Sequence, residues 1–451
     1  MKIIALVILF VTTIMGCHSP KVNTIHLKGQ MADMGTQEVI MEYTGVTGDF
    51  GTSLNRIIKT DASGYFDTTF VLEQPMYFNI SRNILYLSPG DDLEVYLTPD
   101  TRQATFKGKG SEAQLFLKDR LYPKGGSFLL SGRNVRENFE KTKEVVDALA
   151  AFLTSKLAQL DTLKGITELF KENERIRVKA NLLNSYLTYA LYNKENAGAS
   201  REEQRQWYGR FITSVIPDVN QLMREITKNK YLDIIDVRDV IVYNLDQAEF
   251  MQGVEITPEM REIKEALQVL AKLDSSTDPE VILSMEEKTK SFQHVGIVSE
   301  LREKIRNVKS LMTGQPAHEI IMTDVDGNEV LLSSFKGKNI YLDCWATWCG
   351  PCIQESPAFA VLSEKYKDKD IVFIQLSTDN SRKTWLSYLK QKESVVPQFN
   401  SVDNEGLRVN WQIKYIPRFI LIDKEFNIVE SFAPRPSDPE ITEHLDALLA
   451  K

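Results

Sequence analysis

Three of the four cysteines of this chain fall between Asp343 and Pro357, in Asp-Cys-Trp-Ala-Thr-Trp-Cys-Gly-Pro-Cys-Ile-Gln-Glu-Ser-Pro. The apolar run Ile340–Ala346, interrupted by Asp343, predicts a buried strand, and Cys349–Glu355 predicts the first turns of a helix. Cys349 and Cys352 are three residues apart, which on a helix puts both sulfurs on one face, within disulfide reach. Gly350 permits a tight turn into the helix. Pro351 suits the first turn, where its missing N–H has no partner to lose. The positive end of the helix dipole favours a thiolate on Cys349. The chemistry this suits is thiol-disulfide exchange. Cys349 attacks a disulfide in another protein, and Cys352, one turn deeper, resolves the mixed disulfide. A resolving thiol needs a proton acceptor. Asp343, in the strand beneath the helix, and Glu355, on the helical face of Cys352, both qualify, and spacing does not choose between them.

Other cysteine chemistries fit less well. A structural zinc takes four ligands, and here no second C-x-x-C pair follows and the five histidines are scattered. Cys344 extends the spacing to C-x4-C-x2-C, part of an iron–sulfur pattern, but no cysteine follows to complete it. Cys344 is expected to be a small core residue on the strand face opposite Asp343. No metal is expected, and no cofactor beyond a redox-active Cys349–Cys352 disulfide. With no nicotinamide or flavin motif, the electron donor is expected to be a membrane-bound thiol carrier.

At these residues the chain resembles a known family. Trp-Ala-Thr-Trp-Cys-Gly-Pro-Cys at 345–352 is similar to the thioredoxin active-site motif. Glu355 followed by Pro357 resembles the TlpA/ResA-like branch of extracytoplasmic thiol-disulfide oxidoreductases. That branch implies assistance to the buried thiol from the helix acid. Asp343 falls where cytoplasmic thioredoxins keep a buried aspartate, so the chain departs from its branch in holding both acids. Ile416-Pro417 resembles the family's cis-proline loop, which implies that Ile416 pairs its backbone with an incoming peptide over Cys349. Trp348, Gly350, Pro351, Ile416 and Pro417 are thereby candidate substrate-binding residues. Arg418 stands where the family usually has threonine, which implies a changed preference for substrate charge. Of Trp345 and Trp348, one is expected to be an exposed docking surface and the other core.

The elements that must position this site occupy residues 313–451, expected to be an α/β thioredoxin fold. Asp326-Gly327-Asn328 predicts a hairpin turn between Ile320–Met322 and Val330–Leu332. Helix 349–366, strand Ile371–Ser377 and a helix around Trp385–Gln391 follow. Between Asp379 and Pro417 the chain is longer than a plain thioredoxin, a TlpA-like insertion. Asp438-Pro439-Glu440 predicts the N-cap and first turn of a last helix through Leu449.

Upstream, period-two patterns such as Phe66, Thr68, Phe70 and Leu72 dominate residues 24–110. They predict five to seven antiparallel strands in a sandwich or small barrel. Gly29, the 61–66 Asp-x-x-Gly-x-Phe segment and the Pro-Gly-Asp turn at 89–91 resemble an N-terminal domain of unknown function fused to TlpA-like domains in Bacteroidetes lipoproteins. Residues 111–312 switch to helical spacing, as in Ile176, Ala180, Leu183 and Leu187, and predict a helical region. A helix beginning near Trp207 is expected to be checked by Pro217. At the front, Lys2, the apolar run Ile3–Ile14 and Gly16-Cys17 resemble a lipoprotein signal over residues 1–17, with Cys17 lipidated. The h-region is too short to span a bilayer. The net charge of −8 gives no basic footprint for nucleic acid.

The expectation is therefore an envelope-anchored thiol-disulfide oxidoreductase, tethered by lipid on the periplasmic side. Resemblance favours the reducing direction, toward protein disulfides such as those of apocytochrome c. Two alternatives stand beside it. A thiol peroxidase is suggested by the peroxiredoxin-like start of the domain. However, its Pro-x-x-x-Thr-x-x-Cys motif is missing, with Ala346 and Leu342 at the required places. The other is a non-catalytic envelope binding or scaffold protein.

Overall fold

The computed structural model describes residues 23–31, 38–118, 129–130, 133–134, 141–189, 198–392 and 396–450. The expected signal segment and Cys17 lie outside the described residues. No described helix is long and apolar enough to cross a membrane.

The first part holds two four-stranded sheets. In one, Thr24–Met31 lies between Tyr65–Val71 and Asp92–Leu97, with Thr105–Lys109 at the edge. In the other the order is Arg56–Lys59, Glu38–Tyr43, Met76–Ile80, Asn83–Leu87. Alternate residues of both sheets, among them Ile25, Leu27, Met41, Phe78 and Val95, share one core. The expectation of an all-antiparallel arrangement is corrected, because Thr24–Met31 runs parallel to Asp92–Leu97, with His26 opposite Asp92. A tight turn forces antiparallel pairing only on strands it joins, and these two are separated by most of the β region. Gly29 lies within the first strand, where a Cβ would sit 1.8 Å from the Val95 carbonyl oxygen.

Helix Ser111–Leu117 packs back on these sheets, its Gln114 amide accepting from the Tyr86 N–H and donating to the Tyr86 carbonyl. Seven longer helices follow: Thr142–Thr162, Glu168–Tyr189, Arg201–Ile226, Ile235–Asn244, Pro258–Leu273, Pro279–Thr289 and Val295–Lys309. The apolar stripes of the last six form a common core that also takes in Val46 and Phe50 from the β region, while Leu160 of the first packs with Tyr86, Phe116 and Phe170. Pro217 does not end its helix, contrary to expectation. The helix runs through it to Ile226. An interior proline costs about 3 kcal/mol. Burial of Ile212, Val219, Met223 and Ile226 on one face offsets it at about 1.5–3 kcal/mol per large apolar side chain.

The last part is a seven-stranded mixed sheet with strand order Glu329–Leu331, Ile321–Thr323, Gln398–Ser401, Ile371–Ser377, Asn339–Trp345, Arg418–Ile422, Ile428–Glu430. Asn339–Trp345 is central and every residue of it is buried. Ile340, Leu342 and Cys344 face one core, while Tyr341 faces the other with Phe359. Between Asp379 and Pro417 lie the strand Gln398–Ser401 and the short helix Asn404–Asn410. The last helix begins at Ile441, later than the capping pattern suggests. Asp438 still accepts the Glu440 N–H at 3.0 Å, but as part of a turn ahead of the helix.

Candidate active site

The central strand ends at Trp345 and the helix Gly350–Lys365 begins five residues later. Cys349 is the N-cap of that helix, and its Sγ accepts the Cys352 N–H at 3.2 Å. A sulfur there meets both an orphan donor and the positive end of the dipole, which stabilise negative charge. Cys349 and Cys352 are joined, with Cα atoms 5.3 Å apart. Cys349 keeps 5% of its surface and Cys352 none. Trp345, Ala346 and Trp385 wall the pair, with Ile416 packed against them. Trp348 is the exposed tryptophan, at 71%, and Trp345 is core. Gly350 is not required by a left-handed backbone or a close neighbour, since nothing lies within 4 Å of where its Cβ would stand. The space beside it is open to a visiting chain. The Ile416-Pro417 bond is cis, both residues are half-buried, and Ile416 packs beside the cysteines.

The two acids are in different surroundings. Asp343 is fully buried, and one oxygen accepts the Gln375 amide at 2.8 Å. Its other oxygen has no partner among the described residues. Burial pushes its pKa up to about 7, the nearby Glu355 charge adds to the rise, and the Gln375 bond opposes it. Gln375 is held in turn by the Gln398 amide at 2.6 Å. Glu355 is 7% exposed, not the solvated helix residue that its position in a charged sequence allows. It accepts the Ser437 N–H at 3.1 Å and hydroxyl at 3.0 Å, and Arg435 lies 3.7 Å away.

Residues 312–448 match the Redoxin family. The thiol-disulfide oxidoreductase ResA of Bacillus thuringiensis is 29% identical over 133 residues, 29% of this chain and 76% of that protein. Residues 312–448 are a Redoxin domain. The thioredoxin-like protein YneN of Bacillus subtilis is 27% identical over 138 residues, 30% of this chain and 80% of that protein. A crystal structure from Bacteroides vulgatus, assigned as a thiol-disulfide oxidoreductase, is 55% identical and covers 31% of this chain and 99% of that one, with a TM-score of 0.31. The Redoxin domain is of the ResA/TlpA-like, thioredoxin-fold kind, and its enzyme class is thiol-disulfide oxidoreductase.

Within the Redoxin domain, Arg418 corrects a sequence expectation. It pairs in register with Cys344 and so shares the inward face of the sheet. It is buried, donates to the Ser431 carbonyl at 3.0 Å and lies over the Phe432 ring at 3.5 Å. Its charge is spent inside and is not offered to a substrate. Cys344 is a buried free thiol on that face, and burial raises its pKa far above the ordinary range. Asp379 was not singled out from the sequence. It accepts the Thr347 N–H at 2.9 Å, the Thr347 hydroxyl at 2.7 Å and the Ser377 hydroxyl at 2.7 Å. It thereby pins the loop that delivers Cys349. The available signal was its place just past strand Ile371–Ser377, since sites in α/β sheets form at the carboxyl ends of strands. Among the described residues, no group of three His, Cys, Asp or Glu is placed to hold a metal.

Proposed function

We propose that this oxidoreductase works as a reductase of protein disulfides, held at the periplasmic face of the bacterial envelope by lipid on Cys17. The Cys349 thiolate attacks a client disulfide. A Cys349–client bond forms, and one client sulfur leaves as a thiolate and is protonated. Cys352 gives up its proton and attacks the Cys349 sulfur. The second client thiolate leaves, and the Cys349–Cys352 disulfide remains. A membrane-bound thiol donor then restores the dithiol. Asp343 takes the Cys352 proton in this reading, because it keeps an uncommitted oxygen and a pKa near 7, where a base works best at neutral pH. Glu355, with its oxygens engaged by Ser437, positions charge beside Asp343. Trp348, the open side of Gly350 and Pro351, and the Ile416-Pro417 loop frame the client's approach. Apocytochrome c before haem attachment is one client class of suitable chemistry.

The observation that carries this reading is Cys349 at the N-cap, bonded to Cys352 and retaining the only exposed sulfur-bearing surface of the pair. The test is to express the Cys352→Ser variant in cells and separate its adducts without reductant. Mixed disulfides through Cys349 are expected. Their absence favours a non-catalytic scaffold, and rapid consumption of hydrogen peroxide by the purified wild type favours a peroxidase. A reduction potential near about −120 mV would reverse the direction.

A further inference from the structure

The β, helical and Redoxin parts of the chain meet around a cavity of about 290 Å3. Glu42, Phe50 and Asn79 line it from the β part, Glu300 and Glu303 from the helices, and Gln412, Lys414 and Tyr415 from the Redoxin domain. The Redoxin wall begins within the helix Asn404–Asn410, through Arg408 and Val409. We propose that this cavity is a recognition subsite for the client polypeptide and takes a lysine or arginine side chain near the client's reacting cysteine. The proposal rests on the disulfide-reductase reading above.

The charge balance sets the chemistry. Three of the lining acids are already answered: Glu42 by Arg408 at 3.9 Å, Asp49 by Arg238 at 2.6 Å, and Asp274 by Lys304. Lys414 also lines the cavity and lies 5.7 Å from the Tyr415 ring, so the lining charges outside these pairs are Glu300, Glu303 and Lys414, an excess of one negative charge. Glu300 is 8% exposed as a residue, and its carboxylate accepts from the Ser53 hydroxyl, with no cation in pairing distance among the described residues. Burying a carboxylate away from water without a counter-charge is costly. Glu303 stands exposed one residue before Lys304 on the same helix and adds to the negative field. The Asn79 Oδ1 is buried and accepts no hydrogen bond from a described residue. Gly51 leaves room for the arrangement, since a Cβ there would fall 1.6 Å from a Glu300 oxygen. An unanswered carboxylate and an orphan acceptor together call for a cationic donor. The volume, near the lower limit of about 300 Å3 for ligand pockets, suits one side chain and not a cofactor.

Distance along the chain links this cavity to the dithiol. Tyr415 is 67% exposed and lines the cavity, while its neighbour Ile416 packs against Cys349 and Cys352. A client strand lying along 414–417 advances about 3.3 Å per residue. With its cysteine over Cys349, its residues two to four positions away pass the cavity mouth. Lysine and arginine stems are long enough to enter from there while the backbone stays outside.

The test uses the full-length Cys352→Ser protein, reduced, and short peptides whose single cysteine is disulfide-bonded to a coloured aromatic thiol. Cys349 forms a bond to the peptide sulfur, the bond from that sulfur to the aromatic thiol breaks, and the coloured thiolate leaves with the electron pair. Peptides carry arginine, alanine or glutamate two to four residues from the cysteine. The arginine peptide is expected to react roughly tenfold faster than the glutamate peptide, the scale of one hydrogen bond to a charged group. Glu300→Gln and Glu303→Gln, each added singly, should pull that ratio toward one, as should Gly51→Ala by displacing Glu300. Equal rates for arginine and glutamate peptides in the parent protein overturn the subsite and leave the reductase reading standing. So does a preference for arginine that survives all three substitutions. No reaction with any peptide overturns the reductase reading, and the subsite with it.

Discussion

Asp343 has no exposed surface and one oxygen without a described partner. Because burial raises its pKa from 3.8 to about 7, the native state binds its proton more tightly than the unfolded chain does. Below pH 3.8 both states hold the proton and the native state keeps its full advantage. As pH rises toward 7 the unfolded chain releases the proton first, so stability falls across that window and then levels off. Asp343→Asn removes the titration. Relative to the wild type, the variant should gain up to about 4 kcal/mol between pH 4 and pH 8, read from urea denaturation of the oxidised protein at each pH. A constant difference between pH 4 and pH 8 would mean that Asp343 keeps an ordinary carboxylate pKa in the folded protein. In the same variant the release of a trapped client should slow by about 10²-fold or more, while Glu355→Gln, which removes no free oxygen, should slow it less. The sequence identified both acids but ranked neither. That ranking depends on Ser437 and Gln375, residues 82 and 32 positions away, reaching one acid each.

The loop from Ala346 to Cys349 joins a buried strand to the active-site helix, and Asp379 is its fastening. Asp379→Ala leaves the Thr347 N–H and hydroxyl and the Ser377 hydroxyl without their acceptor. Each buried polar group left unpaired costs about 1–3 kcal/mol, with water entering to limit the sum. A loss of about 2–4 kcal/mol and a slower Cys349 attack are expected, whereas Thr347→Val, which removes the hydroxyl contact alone, should cost about 1 kcal/mol. Chemical denaturation and single-turnover exchange with a small disulfide check both; equal effects from the two variants would put the loop's support elsewhere. Local patterns made the central strand, the active-site helix and the strand Ile371–Ser377 legible, because a mostly apolar run and the chemistry of a helix start are properties of neighbours in sequence. What was not legible depends on distant partners. Thr24–Met31 takes a parallel neighbour across the β region, Pro217 is overruled by a buried helix face, and Arg418 turns inward because its register partner is Cys344. Asp379 and the cavity at 42–415 belong to the same class.

Arginines bind the β sheets to the helices from within. Arg177, with its side chain 2% exposed, sits between Glu174 and Asp236 and lies 4.6 Å from the Tyr77 ring, while Tyr77 donates to Glu174 at 2.6 Å. Arg238, wholly buried, bonds Asp49 at 2.6 Å, the Leu232 carbonyl at 2.7 Å and the Thr44 carbonyl at 3.1 Å. The polar contacts of the helices with the Redoxin domain are lighter, as where the Ser431 hydroxyl reaches Thr277 at 3.3 Å and the Leu311 carbonyl at 3.1 Å. The two junctions should therefore fail separately. Arg238→Met strands Asp49 and two carbonyls, and breaking a buried pair from one side costs about 3–5 kcal/mol. Four of the five tryptophans, Trp345, Trp348, Trp385 and Trp411, belong to the Redoxin domain, so fluorescence follows that domain while far-ultraviolet circular dichroism is weighted to the helices. In urea the dichroism midpoint of Arg238→Met should fall well below that of the wild type, with the fluorescence midpoint nearly unmoved. If both midpoints fall together, the three parts unfold as one cooperative unit. The cavity would then be a rigid feature of one body, and no longer a seam whose β wall, carried by the 44–50 turn, can be loosened without disturbing the dithiol.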